Sequence, residues 1–182
     1  MPAHRQPGEV VEECVRLARG TTRRSVVLID GGAGSGKTTL GLQLAARWPG
    51  PVQLVGLDDI YPGWTGLAEG SRAVHTRLLR SWRPGFRRWD WSRQARAEWV
   101  AIDPERSLII EGCGALTPQS RALATVGIWC DLDARSRQER AFARDGEPLI
   151  AHWEEWEAQE AGHWELHRPW ELADLRTTVS GS

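Results

Sequence analysis

The run Gly31-Gly32-Ala33-Gly34-Ser35-Gly36-Lys37-Thr38, followed by Thr39, fits the pattern G-x-x-x-x-G-K-[ST] in full. The chemistry of such a run is phosphate binding. Its glycines let backbone N–H groups turn inward around phosphate oxygens, and a helix that opens at its end adds partial positive charge. Lys37 carries a compact charge on a long stem that reaches β- and γ-phosphates, which a planar guanidinium does not replace. The Thr38 hydroxyl is a ligand for Mg²⁺. Composition sharpens the point: of 23 basic residues, Lys37 is the one lysine. Where every other basic position holds Arg, a lysine kept in this loop marks a chemical need. ATP and Mg²⁺ are the expected cofactors.

The rest of the chain narrows the class of nucleotide chemistry. A GTPase reads its base through N-K-x-D, which needs a second lysine, and no D-x-x-G follows the loop. The chain is short for an AAA-type motor and carries nothing like the signature of a transporter ATPase. A small kinase remains. Phosphoryl transfer to a hydroxyl calls for a carboxylate near the γ-phosphate. Two acidic positions follow expected strands: Asp58-Asp59 and Glu111. Successive strand residues point to opposite faces, so one of Asp58 and Asp59 faces the site and the other is a turn or cap acid. Glu111 stands where a Walker-B acid would hold magnesium through water; its plainer role is to cap a neighbouring helix. Arg137, Arg140 and Arg144, at spacings of three and four, share one helical face. Such a row is either a solvated surface or part of a lid, over about residues 134–148, that closes on phosphates and excludes water.

Apolar patterning supplies the elements that position these groups. Short runs at 25–30, 52–57, 107–110, 125–130 and 175–179 read as strands, with helical spacing at 10–18, 37–48, 69–83, 92–102, 134–144 and 149–167. Strands alternating with helices imply an α/β fold with a parallel sheet covered on both faces. At 182 residues the chain is expected to form a single domain, 1–182.

Net charge is −1, which excludes general attraction to nucleic acid or membrane. The charge is unevenly placed, with a local +7 over residues 71–97 and −8 over 145–174. The two stretches either face each other across the fold, or the basic one lies near a phosphorylated ligand. No apolar run approaches the ~20 residues that span a bilayer. Residues 1–7 lack the pattern of a signal peptide. Three cysteines with no C-x-x-C pair fit a reducing compartment, so a cytoplasmic location is expected.

The ordered set of the loop, then Leu57-Asp58-Asp59-Ile60-Tyr61-Pro62, Trp89-Asp90-Trp91, Ile109-Ile110-Glu111-Gly112 and an Arg-rich helix resembles the uridine kinase and nicotinamide riboside kinase group of P-loop kinases. The resemblance implies a three-layer P-loop NTPase fold whose five strands stand in the order 2-3-1-4-5. It implies Asp58 as base, Trp89 and Asp90 as holders of the acceptor's hydroxyls, Glu111 as a helper of magnesium, and Tyr61 as a wall of the acceptor pocket. Arg140 and Arg144 would clamp the moving phosphoryl group. The chain is shorter than that group and shows no counterpart of its base-reading residues. Trp64, Trp89 and Trp91 suit a flat acceptor or the core equally. His163-Trp164-Glu165-Leu166-His167 misplaces the Glu of a zinc-protease helix, so packing or chance is its reading. The expected activity is transfer to a hydroxyl of a small, nucleoside-like molecule. The alternatives are a nucleoside monophosphate or polyol kinase, or a regulatory ATP-binding module that meets its partner through the Trp-rich acidic C-terminal region.

Overall fold

The computed structural model describes residues 4–20, 24–80 and 82–178. Its centre is a fully buried run, Val26-Val27-Leu28-Ile29. Val26 and Leu28 face one apolar cluster while Val27 and Ile29 face another, so this strand has no polar side. A strand covered on both faces belongs in the middle of a parallel sheet.

Around it stand β1 (His4–Arg5), β2 (Val26–Asp30), β3 (Val52–Gly56), β6 (Ser107–Glu111), β7 (Val126–Cys130) and β8 (Leu175–Thr177). All pair in parallel, in the order β1-β8-β7-β2-β6-β3. Taken in chain order, the five expected strands stand as 2-3-1-4-5, and β1 adds a sixth at the β8 edge. Val179, the expected end of the last strand, lies outside the described residues.

One face is covered by α1 (Pro7–Arg19) and α2 (Lys37–Arg47). Val10, Val11, Cys14, Leu40 and Leu44 from these helices pack on Val27, Ile29 and Ile128. The other face carries α3 (Leu67–Ala73) and α7 (Trp153–His167), which bring Leu67, Ala73, Trp153 and Trp156 against Leu28 and Ile110. The fold is the three-layer α/β architecture of P-loop NTPases.

The clearest departure from expectation lies at residues 92–102. Ala, Arg, Gln and Glu there favour a helix in isolation. Instead β4 (Gly85–Asp90) and β5 (Ala95–Ala101) form an antiparallel hairpin outside the main sheet. Asp90 Oδ1 accepts bonds from Ser92 N, Ser92 Oγ and Arg93 N, which turns the chain back on itself, and cross-strand pairing then overrides propensity. The expected helix over 69–83 is α3 continued by wider π-helical turns at Val74–Leu79; Ser81 lies outside the described residues. The expected helix over 149–167 is α7, preceded by the short α6 (Glu147–Ile150).

The lid region contains α5 (Ala134–Asp145) and α6. Asp133 caps α5 by accepting from Ser136 N at 2.9 Å, and Gly146, at φ +62°, ends it. The helices α4 (Pro118–Arg121) and α8 (Pro169–Leu172) complete the connections to β7 and β8.

Candidate active site

The carboxyl ends of β2, β3 and β6 converge, as ligand-binding ends of parallel strands do. The loop 31–38 joins β2 to α2, whose first residue is Lys37. Gly34 and Gly36 have φ of +78° and +93°, a region that glycine enters without strain. Lys37 is 7% exposed, and its Nζ donates to Gly32 O at 2.9 Å. Burial opposes its charge, yet the Cys113 sulfur and the carboxylates Glu111, Glu160 and Asp58 around it hold the ammonium above its ordinary range.

Beside the loop lies a cavity of about 330 Å³. Ala33, Lys37 and Thr38 open onto it from the loop end, with Glu111 from the end of β6. Asp58 faces it from a 3₁₀ turn at Leu57–Asp59 that follows β3. Asp58 is exposed to solvent where it faces the cavity. The protein around the cavity pushes its carboxyl up, against the pull of Lys37 and Arg144. Tyr61, Trp64, Trp91 and Trp156 form flat walls, and Arg144 and Asp145 close the rim from the end of α5. Trp91 also fixes Asp58 directly, since its Nε1 donates to the Asp58 carbonyl at 2.8 Å. Tyr61 is fully buried, and its hydroxyl donates to Cys113 O at 2.7 Å.

Asp58 rather than Asp59 faces the cavity, although not by strand alternation. In the 3₁₀ turn successive side chains diverge by about a third of a turn. Asp59 is therefore aimed at Arg88, 3.8 Å away. Trp89 and Asp90 lie outside the cavity wall. The Asp90 carboxylate is engaged within the hairpin turn, and the indole nitrogen of Trp89 is buried without a hydrogen-bond partner. Trp64 and Trp91 supply the aromatic surface instead. Arg140 is half-buried and outside the wall, and Arg137 is buried against the back of the loop.

Four groups went unread in the sequence. Asp30, at the end of β2, accepts N–H bonds from Gly31, Gly114 and Leu116 at 2.7, 3.0 and 2.8 Å. Burial pushes its carboxyl up to about 6 against those bonds. Cys113 and Trp156 line the cavity, and Glu160 sits behind the loop. The signal for Glu160 is its spacing. Trp153, Trp156, Glu160 and His163 form the one buried stripe of α7, and a carboxylate on such a stripe requires a partner.

The residues fit a nucleotide and magnesium. Ser35 Oγ is buried in the loop without a hydrogen-bond partner, a polar atom left for a phosphate. Thr38 Oγ1 lies 3.1 Å from Glu111 Oε1, so a hydroxyl and a carboxylate are already side by side. Among the described residues no three His, Cys, Asp or Glu side chains cluster as metal ligands. Magnesium takes few protein ligands and completes its shell with phosphate oxygens and water, so the Thr38–Glu111 pair is a donor set that fits it. A second hollow, beside Gly32, is lined by Trp129, Trp164, Trp170 and Arg137.

The fold thus sets a glycine-rich loop of phosphate-binding pattern at the mouth of an aromatic-walled, carboxylate-bearing cavity. No protein-family model matches the chain, and no curated protein matches its sequence. Solved structures do match its fold. One, described as a possible uridine kinase from Bacillus stearothermophilus, is 18% identical and superposes with a TM-score of 0.64, covering 93% of this chain and 98% of that one. Another, from Silicibacter sp. TM1040 and described as a candidate fructose transport system kinase, is 20% identical with a TM-score of 0.58, covering 95% and 98%.

Arg144 gives a direct test of the rim. It binds Asp145 through two bonds of 2.7 and 2.6 Å while facing the cavity. For phosphoryl transfer at this cavity, Arg144→Ala is expected to lower turnover by on the order of 10²–10³, the cost of one preorganised charged contact, with ADP affinity unchanged. Arg135 is 88% exposed on its side chain and paired with Glu139, so Arg135→Ala leaves turnover unchanged. Steady-state kinetics beside ADP titrations check both; equal effects would reduce the Arg row to a solvated surface.

Proposed function

We propose that this chain is an ATP- and Mg²⁺-dependent kinase that phosphorylates a hydroxyl of a small, nucleoside-like molecule lacking a phosphate of its own. The observation that carries the reading is a single cavity onto which Lys37, Asp58 and the Thr38–Glu111 pair all open. The loop from Gly31 to Thr38 holds the donor phosphates, and the hollow beside Gly32 takes the nucleoside end of the donor. Thr38 and, through water, Glu111 would hold a magnesium ion, which would neutralise charge at the transferring phosphate. Asp58 accepts the proton of the attacking hydroxyl, or orients that hydroxyl where the transition state is loose. Arg144, which faces the cavity from the end of α5, clamps the phosphoryl group as the lid closes, and Arg140, outside the wall, does not take part. Trp64, Trp91, Trp156 and Tyr61 offer flat faces to a base or sugar.

Charge favours an unphosphorylated acceptor. None of the arginines between residues 71 and 97 lines the cavity. Arg77 and Arg96 meet Glu69, and Arg88 meets Glu98 and Asp59. The acceptor end instead presents Asp58, with Asp145 already paired to Arg144, and the Asp58 carboxylate repels a second phosphate. Against the regulatory-module alternative, Trp153 and Trp156 pack in the core, while Trp164 and Trp170 of the same region are half-buried. A cytoplasmic setting accords with three cysteines that are all buried and unpaired. Among the described residues no helix is long and apolar enough to cross a membrane.

The test is ADP release from ATP·Mg²⁺ over a panel of nucleosides, their monophosphates and simple sugars. A nucleoside that raises the rate well above the water reaction supports the reading. A monophosphate acting in its place overturns the acceptor assignment, and ADP release unmoved by every acceptor overturns the kinase.

A further inference from the structure

Helix α7 gives Trp156 to the cavity wall and also sends one carboxylate into the back of the phosphate loop. Glu160 is 1% exposed. Its Oε1 accepts from Ala33 N–H at 2.7 Å, from Trp156 Nε1 at 3.0 Å and from the Cys113 thiol at 3.1 Å. Its Oε2 meets Arg137 Nη1 at 3.1 Å, and the same Nη1 donates to Ala33 O at 3.3 Å. The Ala33 residue is thus gripped at both its N–H and its C=O by one buried ion pair. Two glycines record the same contact: a Cβ at Gly32 would collide with the Arg137 guanidinium, and one at Gly34 with the Arg137 carbonyl.

We infer that Glu160, acting through Arg137, is the positioning residue of the phosphate loop. Taken with the kinase reading above, on which this inference rests, the pair sets the curvature that aims the loop's N–H groups at the donor phosphates. Glu160 touches no reacting atom; its effect passes through Ala33. The pair also ties three elements to one point, since Glu160 is on α7, Arg137 is on the lid helix α5 and Ala33 is in the loop. Arg137 is therefore a fixed root of the lid helix, and Arg144, two turns on, faces the cavity. A buried pair of this kind adds little net stability over apolar side chains of similar volume, but it fixes geometry. Packing alone would not need both polar atoms of Ala33 to be held.

That distinction is the test. The double variant Glu160→Leu/Arg137→Leu replaces the pair by apolar bulk and leaves Ala33 without its partners. It is expected to melt within a few degrees of the unsubstituted chain, yet to bind ATP at least tenfold more weakly by calorimetry. Glu160→Gln, which keeps an acceptor for Ala33 N–H but loses the charge, covers the case of a double variant that does not fold; its ATP affinity is expected to fall about threefold to tenfold. Glu154→Gln, an exposed position on the same helix, serves as the control and leaves affinity unchanged. ATP affinity within twofold of the unsubstituted chain in the folded double variant, or failing that in Glu160→Gln, overturns the inference. An unsubstituted chain that binds no ATP overturns the kinase reading, and this inference falls with it.

Discussion

Replacing Lys37 by alanine is expected to abolish measurable phosphoryl transfer and to weaken ATP binding. The ammonium is the one cation inside the loop, 7% exposed and bonded to Gly32 O at 2.9 Å. It also stands among Glu111, Glu160 and Asp58, whose charges it balances. Without it the γ-phosphate meets the Glu111 and Asp58 carboxylates with no cation inside the loop to offset them. Loss of one preorganised contact of this type typically costs on the order of 10²–10³ in rate, or about 2.7–4 kcal/mol. Lys37→Arg is the sharper comparison. It keeps the charge, but a planar fork is wider than an ammonium and presents its donors in fixed directions. The rescue is expected to be poor, measured as ADP release with the acceptor found by the panel. Near-normal turnover in Lys37→Arg would remove the meaning of the lone lysine, and with it the strongest inference drawn from composition.

What the sequence revealed and what it hid have separate physical causes. The phosphate loop is legible because its chemistry is local: eight adjacent residues make the cradle, and the flanking apolar run and helix confirm its context. The sheet is legible for a related reason, since strands buried on both faces leave continuous apolar runs such as Val26-Val27-Leu28-Ile29. The hairpin was not legible. Residues 92–102 have helical composition, and the decisive signal is the single Asp90 side chain that closes the turn. The same bonds place Asp90 in the turn rather than in the cavity wall, so one misread element also moved a candidate site residue. The hidden half of the site is long-range. Glu160 and Ala33 are 127 positions apart, and Arg137 and Ala33 are 104 apart. No spacing rule joins such positions before the topology is known. The Arg row illustrates the limit. Spacings of three and four place Arg137, Arg140 and Arg144 on one face, but a helix that runs across a cavity's edge gives each a different environment. One is buried behind the loop, one is outside the wall and one faces the cavity.

Asp58→Asn is expected to lower turnover by roughly 10²–10⁴, the usual contribution of general acid–base catalysis, while ATP affinity stays within a few-fold. The change keeps size and polarity and removes the proton acceptor, and it leaves the loop and Lys37 intact. Its geometry is fixed from two sides: Ile60 N and Tyr61 N bond to Leu57 O at 2.8 and 3.0 Å, and Trp91 Nε1 bonds to the Asp58 carbonyl. Asp59→Asn, on the residue that faces Arg88 and is half-exposed, is expected to be mild. A pH profile adds an independent reading. The base works when unprotonated, and surrounding protein pushes the Asp58 carboxyl up more than Lys37 and Arg144 pull it down. Activity should therefore fall on the acid side at a pH above that of an ordinary aspartate. Arg144→Ala removes one of the two opposing charges, so it should move that acid limb further up. In Asp58→Asn the limb should vanish from whatever activity remains. If the transition state is loose, orientation of the hydroxyl matters more than its proton, and the loss falls near the lower bound. Full turnover in Asp58→Asn would exclude Asp58 as the base. A large loss in Asp59→Asn would mean that the 3₁₀ turn rotates when the acceptor binds, exchanging which carboxylate faces the cavity.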